Sequence, residues 1–339
     1  MEYEASGIQS TLQLADDGSH LRPARNKFAK QLLFAGKLII TAACFWYVLR
    51  QINVSETFRA LSAFDLRWVI IAVLVAMAQI PILAVRWRAI VLALGGGPAR
   101  LTFLAATALT AIYALFAQVL PSLAGEGIRA WLLTRFGYGW RTTLTSVTID
   151  RGVGVAVLFA FSFVILMLPS ALTALSGYRN DVILMFGGAL IVGVLSLLST
   201  PRIAPLLRRW RYSNWIGIFA ADAHRVLLGP QATIIFGASC LIHTLTIINV
   251  WSVSHAQGLS LSMFDSAVLF TVMIGVVLVP ISIGGWGLRE LAVVSLLGAH
   301  GVAPERALLF SLCFGVVLMV SALPGVIVYL LYPLPARVR

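Results

Sequence analysis

The chain has 339 residues, of which 60% are hydrophobic and only 11% are charged. Soluble domains carry about 25% charged residues, so this composition excludes an ordinary water-soluble protein. The long continuous apolar runs also exclude a transmembrane β-barrel, whose strands are short and alternating. The net charge of +12 does not indicate nucleic-acid binding here, because most basic residues flank apolar runs and set membrane orientation.

Six apolar runs are long enough to cross a bilayer as helices. They cover residues 32–50, 68–94, 142–168, 182–199, 231–256 and 306–332. The first run is predicted to be a retained membrane anchor, since no small-residue cleavage site follows it. We therefore predict an all-α polytopic membrane protein. The predicted domains are a polar cytoplasmic tail at 1–31, a transmembrane region at 32–332 and a cytoplasmic tail at 333–339. The transmembrane region divides into a first half at 32–199, a basic interfacial loop at 201–230 and a second half at 231–332.

Two further apolar stretches, 101–136 and 265–299, are interrupted. The interruptions read LPSLAGEG at 120–127 and PISIGGWG at 280–287. Proline and paired glycines break helices, and the pieces that follow each break are too short to cross a bilayer. Non-helical backbone at membrane depth is tolerated only when it is buried in protein or lines a wet cavity. Each stretch is therefore predicted to be a re-entrant helical hairpin.

Charge distribution supports one topology for these segments. With the N-terminus inside and both hairpins re-entrant, 16 of the 25 Lys and Arg residues lie inside, 5 outside and 4 within the membrane. This bias obeys the positive-inside rule. It predicts a multi-pass protein of the cell inner membrane with both termini in the cytoplasm. The loop 201–230 mixes arginines with tryptophans and aliphatic residues, which is typical of a helix lying in the cytoplasmic interface.

The two interruptions resemble each other. Residues 122–129 (SLAGEGIR) align without gaps to residues 282–289 (SIGGWGLR), and a proline precedes each segment. In the topology above, the first hairpin enters from the cytoplasm and the second from outside. Related elements of opposite orientation are the mark of inverted-repeat transporters, whose binding sites lie near the membrane midplane. The sequence therefore predicts an inverted repeat in which the two helix interruptions meet near the membrane midplane.

Polar residues in and around these breaks are the candidate site for a lipid head group. A helix that starts inside the membrane directs free N–H groups and its positive dipole end at anions such as phosphate. Arg129 and Arg289 are expected in the first turns of such helices, either binding phosphate or paired with Glu126 or Glu290, and the two roles are compatible. Buried charges of this kind are functional candidates. The candidates are Gln118, Ser122, Glu126, Arg129, Asp150, Arg151, Ser282, Arg289 and Glu290, with half-helix glycines Gly125, Gly127, Gly284, Gly285 and Gly287.

No metal or cofactor is predicted. Cys44, Cys240 and Cys313 are isolated within apolar runs, and the five histidines are scattered, so no metal-ligand spacing occurs. A phosphate-binding loop of the type GxxxxGK[ST] is also absent, which argues against direct use of ATP.

At these residues the sequence resembles the transmembrane region of bacterial lysylphosphatidylglycerol synthases, a flippase-like membrane family. The matching stretches are 85–95 (VRWRAIVLALG), 118–135 (QVLPSLAGEGIRAWLLTR), 149–154 (IDRGVG) and 280–290 (PISIGGWGLRE). The resemblance implies an inner-membrane protein that moves or handles lipid head groups. The motif residues that it implies are Arg86, Glu126, Arg129, Asp150, Arg151, Arg289 and Glu290. Bifunctional members carry a soluble aminoacyl-transferase domain after the membrane part, whereas this sequence stops at Arg339, so lysine transfer is not expected.

The leading functional hypothesis is a lipid flippase or translocase, not an enzyme. Its partners would be membrane lipids, namely a phospholipid, an aminoacylated lipid, a hopanoid or a polyprenyl-linked lipid. One alternative is an integral membrane glycosyltransferase or other lipid-modifying enzyme, although the predicted outer segments are short and offer few carboxylates. A second alternative is a non-catalytic partner of a lipid-synthesis enzyme.

Overall fold

The computed structural model describes residues 64–95, 97, 101–119, 122–168, 179–210, 213–278 and 287–332. Every regular element within these residues is a helix, in agreement with the predicted fold class. In chain order they are α1 (Leu66–Leu94), α2 (Phe103–Val119), α3 (Ser122–Thr134), α4 (Trp140–Met167), α5 (Arg179–Arg209), α6 (Asn214–Leu227), α7 (Ala232–Ala256), α8 (Met263–Leu278), α9 (Leu288–Gly298), α10 (Pro304–Ala322) and α11 (Pro324–Leu331).

Five of the described segments are long and apolar enough to cross a membrane. They are Leu66–Leu94, Trp140–Met167, Ile183–Arg209, Ala232–Ala256 and Pro304–Leu331. They coincide with five of the six predicted spans, and the remaining one, 32–50, lies outside the described residues. The protein is therefore a multi-pass helical membrane protein.

Two of the five spans differ in detail from the prediction. Helix α5 runs on to Arg209 with Pro201 and Pro205 inside it, so the first part of the predicted loop 201–230 is a continuation of the span. The second part forms α6, which packs closely on α5 where Gly217 approaches the carbonyl of Ala204. The last span is two helices, because the chain turns at Leu323 before α11 begins at Pro324.

The first broken stretch folds as a helical hairpin formed by α2 and α3. Gly125 of α3 lies so close to α2 that a Cβ atom there would stand 3.2 Å from the Cα of Ala117. The interruption is shorter than predicted, because α3 begins at Ser122 and both Gly125 and Gly127 are helical. Glycine is tolerated inside this helix because it permits close approach of the two backbones.

The second broken stretch is built from α8 and α9, which also pack against each other. Asp265 and Leu269 near the start of α8 line one small cavity together with Leu297 of α9 and His300, which follows α9, so the two helices run antiparallel. Gly287 precedes α9 with a φ of +84°, a conformation that favours glycine. Helices α3 and α9 have 13 and 11 residues and are about 20 Å and 17 Å long, too short to cross a hydrocarbon core of about 30 Å.

Helices α1 and α7 form an antiparallel pair with extensive contact. At one end Trp68 meets Trp251 edge to face, and Asn249 donates to the carbonyl of Ala72 over 2.8 Å. At the other end Arg86 of α1 donates to the hydroxyl of Ser239 on α7 over 3.2 Å. This pair therefore fixes the position of Arg86 relative to the surrounding helices.

Contacts between helix ends fall into two groups, one near the start of α1 and one near its end. In the first group the N–H of Asp65 donates to the carbonyl of Ala256, and Arg306 donates to the carbonyl of Gln257. The start of α8 lies near this group, because only residues 257–262 separate it from the end of α7, and Asp265 lines one small cavity together with His300.

The second group joins the opposite helix ends. Leu101 donates to the hydroxyl of Tyr138 across the two ends of the α2–α3 hairpin, and Arg225 donates to the carbonyl of Leu94. The two ends of the α2–α3 hairpin therefore lie near each other, as do the two ends of the α8–α9 hairpin, and each hairpin belongs to a different group of helix ends.

Candidate functional site

A buried triad of two arginines and one aspartate joins α1, α3 and α4. Arg86 Nε lies 2.7 Å from one carboxylate oxygen of Asp150, and Arg129 Nη1 lies 2.8 Å from the other. Arg86, Arg129 and Asp150 are 6%, 0% and 3% exposed. A buried carboxylate shared by two guanidinium groups leaves the triad with one excess positive charge.

Arg129 lies between two aromatic rings. Its guanidinium carbon is 4.1 Å from the ring centre of Trp87 and 5.0 Å from that of Tyr113. The indole of Trp87 is itself held by a 3.2 Å hydrogen bond to the hydroxyl of Ser146. Cation–π contacts of this kind stabilise a buried guanidinium face but leave its N–H edges to other partners.

Two of those N–H positions on Arg129 have no partner within the helices that the structure describes. Nη1 is bound to Asp150, whereas Nε and Nη2 are buried and lack a hydrogen-bond partner among the described residues. Nε and Nη2 together form one edge of the guanidinium, with two parallel donors that match the oxygens of a carboxylate or phosphate. Leaving such donors unpaired costs stability, so this edge is a candidate anion site.

A second ion pair lies beside the triad. Arg151 Nε is 2.6 Å from Glu126 Oε1, which also accepts a 2.8 Å hydrogen bond from the hydroxyl of Tyr113. The other oxygen of Glu126 is buried without a partner among the described residues. The Arg151 side chain is 39% exposed, so this pair connects the triad to the surface of the described helices.

A separate polar cluster at the start of α9 contains Arg289, Glu290 and Ser311, and here the carboxylate binds a single arginine. Glu290 Oε1 lies 3.0 Å from Nε and 2.7 Å from Nη2 of Arg289, and the hydroxyl of Ser311 donates to the same oxygen over 2.9 Å. Glu290 Oε2 accepts the N–H of Gly287 over 2.6 Å. The carboxylate of Glu290 thus occupies the positive end of the α9 dipole, where an anion was expected.

The structure divides the predicted polar candidates into two groups. Glu126, Arg129, Asp150 and Arg151 come together around α3 and α4, whereas Arg289 and Glu290 bind each other between α9 and α10. Among the remaining candidates, Gln118 is half-buried near the end of α2 and Ser122 is the first residue of α3. Ser282, Gly284 and Gly285 lie outside the described residues.

The expected position of one arginine was wrong. Arg289 is in the first turn of its helix as predicted, but Arg129 is seven residues after the start of α3, or about 10 Å along its axis. The dipole of α3 therefore has little effect on Arg129. Its partner also differs, because it pairs with Asp150 and not with the nearby Glu126.

Four residues of this site were not among the candidates that the sequence analysis derived from its own patterns. Arg86 appeared only through the family motif, and Trp87, Tyr113 and Ser239 did not appear as site residues at all. The RWR triplet at 86–88 inside an apolar run is a sequence signal for Arg86 and Trp87 but not for Tyr113 or Ser239. Arg86 contacts Ser239 and Trp87 contacts Ser146 across helices far apart in the chain, which a local pattern does not reveal.

A separate cavity of about 660 Å³ lies between α4, α7 and α8. Its lining includes Phe161, Val164, Ile247 and Phe264, and the described residues around it include no charged one. His243 lies beside this cavity, since its ring centre is 5.8 Å from that of Phe161 and it bonds to the carbonyl of Gly154 over 3.0 Å. The cavity is therefore suited to hydrocarbon and not to a head group.

Within the described part of the chain, no group of His, Cys, Asp or Glu residues is arranged to hold a metal ion. The fold and the buried polar cluster define a multi-pass helical membrane protein with an arginine-rich site inside its helices. The chain belongs to the family of the lysylphosphatidylglycerol synthase TM region, whose sequence model matches residues 34–325. No curated protein and no solved structure matches the chain.

Proposed function

We propose that this protein is a lipid flippase that moves lipids with a phosphate-containing head group across the inner membrane. The observation that carries the proposal is the Nε and Nη2 edge of Arg129, which is wholly buried and has no hydrogen-bond partner in the described part of the chain. Buried ionisable groups in membrane proteins mark substrate pathways. Membership of a family linked to lipid synthesis and flipping supports a lipid as the substrate.

The phosphate would bind at Arg129, with Arg86 and Asp150 holding that arginine in place. A guanidinium fixed by an ion pair and by two aromatic rings loses little entropy on binding, which favours a planar two-oxygen contact. The acyl chains would stay in the bilayer. The sequence predicted a phosphate site that uses both Arg129 and Arg289. In this proposal the phosphate binds only Arg129, because Glu290 already occupies the equivalent edge of Arg289.

The proposed transport route uses the two hairpins as re-entrant elements of opposite orientation. Support comes from the helix ends, because the two ends of each hairpin lie near each other. The positive-inside bias assigns the α2–α3 hairpin to the cytoplasmic side and both termini to the cytoplasm. Rocking of the two halves against each other would then expose the site to each leaflet in turn.

The test is leaflet transfer of a fluorescent phosphatidylglycerol in vesicles reconstituted with the purified protein. We expect transfer with the wild-type protein to exceed that of empty vesicles. Arg129→Gln should reduce the protein-dependent rate at least about 10-fold, because charge-assisted contacts to phosphate contribute roughly 1.5–3 kcal/mol. Arg129→Lys keeps the charge but loses the two-donor edge, so it should give an intermediate rate.

Arg141→Gln is the matched control, since Arg141 pairs with Asp222 over 3.1 Å but its side chain is 66% exposed. It should leave the transfer rate unchanged. Equal rates for the wild type and a folded Arg129→Gln protein would contradict the proposal. Turnover of a purified lipid acceptor with a sugar or aminoacyl donor would instead favour an enzyme.

A further inference from the structure

The two related helices α3 and α9 treat their arginines in opposite ways. Arg129 and Arg289 occupy equivalent positions in the gapless alignment, and the residue after each is Ala130 and Glu290. In α9 the Nε and Nη2 edge of Arg289 is bound by the carboxylate of Glu290. In α3 the same edge of Arg129 faces no described partner. On this edge, Arg289 thus binds the carboxylate of Glu290, whereas no described residue supplies an anion to Arg129.

Charge counts agree with this difference. The Arg289–Glu290 pair is neutral, and so is the adjacent Arg151–Glu126 pair. The triad has two arginines and one aspartate, and both oxygens of that aspartate are already taken. It therefore carries a charge of +1 at a site with almost no solvent exposure. An isolated buried charge is costly, so a ligand with a single negative charge is the natural complement.

We infer that the open edge of Arg129 binds one monoanionic phosphodiester and selects lipids whose head group carries a net charge of −1. This inference rests on the proposed lipid function and names its substrate class. Glu290 is the internal equivalent of the bound phosphodiester in the second repeat. An aminoacylated head group has the same phosphodiester but adds ammonium charges, which raise the positive charge near the triad. Such a lipid is therefore a weaker ligand of this site.

The full-length protein in a neutral detergent provides the test. Thermal unfolding is measured with added phosphatidylglycerol, with lysylphosphatidylglycerol of the same acyl chains and with inorganic phosphate. We expect phosphatidylglycerol at about 100 times its dissociation constant to raise Tm by roughly 5 °C. Lysylphosphatidylglycerol should give less than half that shift. Equal shifts for the two lipids would overturn the inference, even if Arg129→Gln abolishes transfer and the proposed function stands.

Two variants supply the missing negative charge from within the protein. Ala130→Glu places a carboxylate where α9 has Glu290, and Ser239→Asp places one beside Arg86, whose Nη1 lies 3.2 Å from the serine hydroxyl. Each should abolish the shift caused by phosphatidylglycerol. If Ala130→Glu does not fold, Ser239→Asp alone provides the test. A folded variant that keeps the full Tm shift with phosphatidylglycerol contradicts the inference.

The reciprocal variant Glu290→Ala removes the anion that Arg289 binds, while Arg289 Nε keeps its 3.1 Å hydrogen bond to the hydroxyl of Ser311. The positive charge of Arg289, no longer neutralised by Glu290, should create a second site, detected as a second bound phosphatidylglycerol by native mass spectrometry. Absence of that second lipid in a folded variant would count against the equivalence of the two edges. A shift from inorganic phosphate equal to that from phosphatidylglycerol would support the anion site but contradict a lipid ligand, and with it the proposed function.

Discussion

Asp150 is the residue that holds the buried cluster together, because its two oxygens bind two different arginines. Asp150→Asn keeps the shape of the side chain but leaves two guanidinium groups facing each other without a counter-charge. Removing one partner of a buried ion pair destabilises a protein by about 3–5 kcal/mol. We therefore expect a large decrease in thermal stability of the detergent-solubilised protein, measured by the loss of helical circular dichroism on heating.

Asp222 offers a matched control for this change. It also lies between two arginines, Arg141 at 3.1 Å and Arg225 at 3.2 Å, but those side chains are 66% and 58% exposed. Exposed ion pairs contribute about 0–1 kcal/mol, so Asp222→Asn should have little effect. Comparable losses in the two variants would mean that burial does not set the strength of the Asp150 cluster.

The sequence identified which residues are charged within apolar helices, but it did not identify their partners. A local partner was expected for Arg129, because residues three apart on a helix are neighbours. Its actual partner Asp150 lies on another helix, and Arg86 reaches the same carboxylate from a third one. Such pairs depend on how helices pack, and one sequence contains no direct signal of that arrangement. In α9, by contrast, the predicted partner Glu290 is adjacent in the chain and was correct.

Among the elements, hydropathy predicted the long spans well because a bilayer demands about 20 apolar residues in each. The breaks were harder to predict from composition. Glycine lowers helix propensity, yet Gly125 and Gly127 are both inside α3. Close packing of α3 on α2 explains the first of these, since Gly125 lies against the backbone of Ala117. Tertiary contact therefore overrides the local preference that placed the break at 120–127.

These two glycines should respond to substitution in opposite directions. Gly125→Val pushes side-chain atoms into the backbone of α2, and overpacking of this kind costs about 1–3 kcal/mol. Gly127 is exposed, and a Cβ atom added there would meet no neighbouring atom within 4 Å, so Gly127→Ala should stabilise α3 by up to about 1 kcal/mol. Thermal unfolding of both variants beside the wild type measures the difference. Destabilisation by Gly127→Ala would indicate that residue 127 belongs to the break, as the sequence pattern predicts.

For the whole molecule, two independent features agree on one arrangement. Contacts join Asp65 with Ala256 and Gln257 with Arg306 at one end, and Leu94 with Arg225 at the other. In the topology derived from the distribution of Lys and Arg, the two residues of each pair lie on the same side of the membrane. Charge bias and helix contacts have different physical origins, since one concerns membrane insertion and the other the packing of side chains. This agreement is the reason for proposing that the two hairpins are inserted from opposite sides of the membrane.

Cysteine accessibility tests this arrangement directly. In a variant without the three native cysteines, single cysteines are introduced by Ser260→Cys, His300→Cys, Thr102→Cys and Gly139→Cys, at residues that are all exposed. The first two flank the α8–α9 hairpin and the last two flank α2–α3. A membrane-impermeant maleimide added to right-side-out vesicles should label positions 260 and 300, and it should label 102 and 139 only after permeabilisation. If one hairpin crossed the bilayer instead, its two flanking positions would label from opposite sides, and the short helices α3 or α9 would have to span a core longer than themselves.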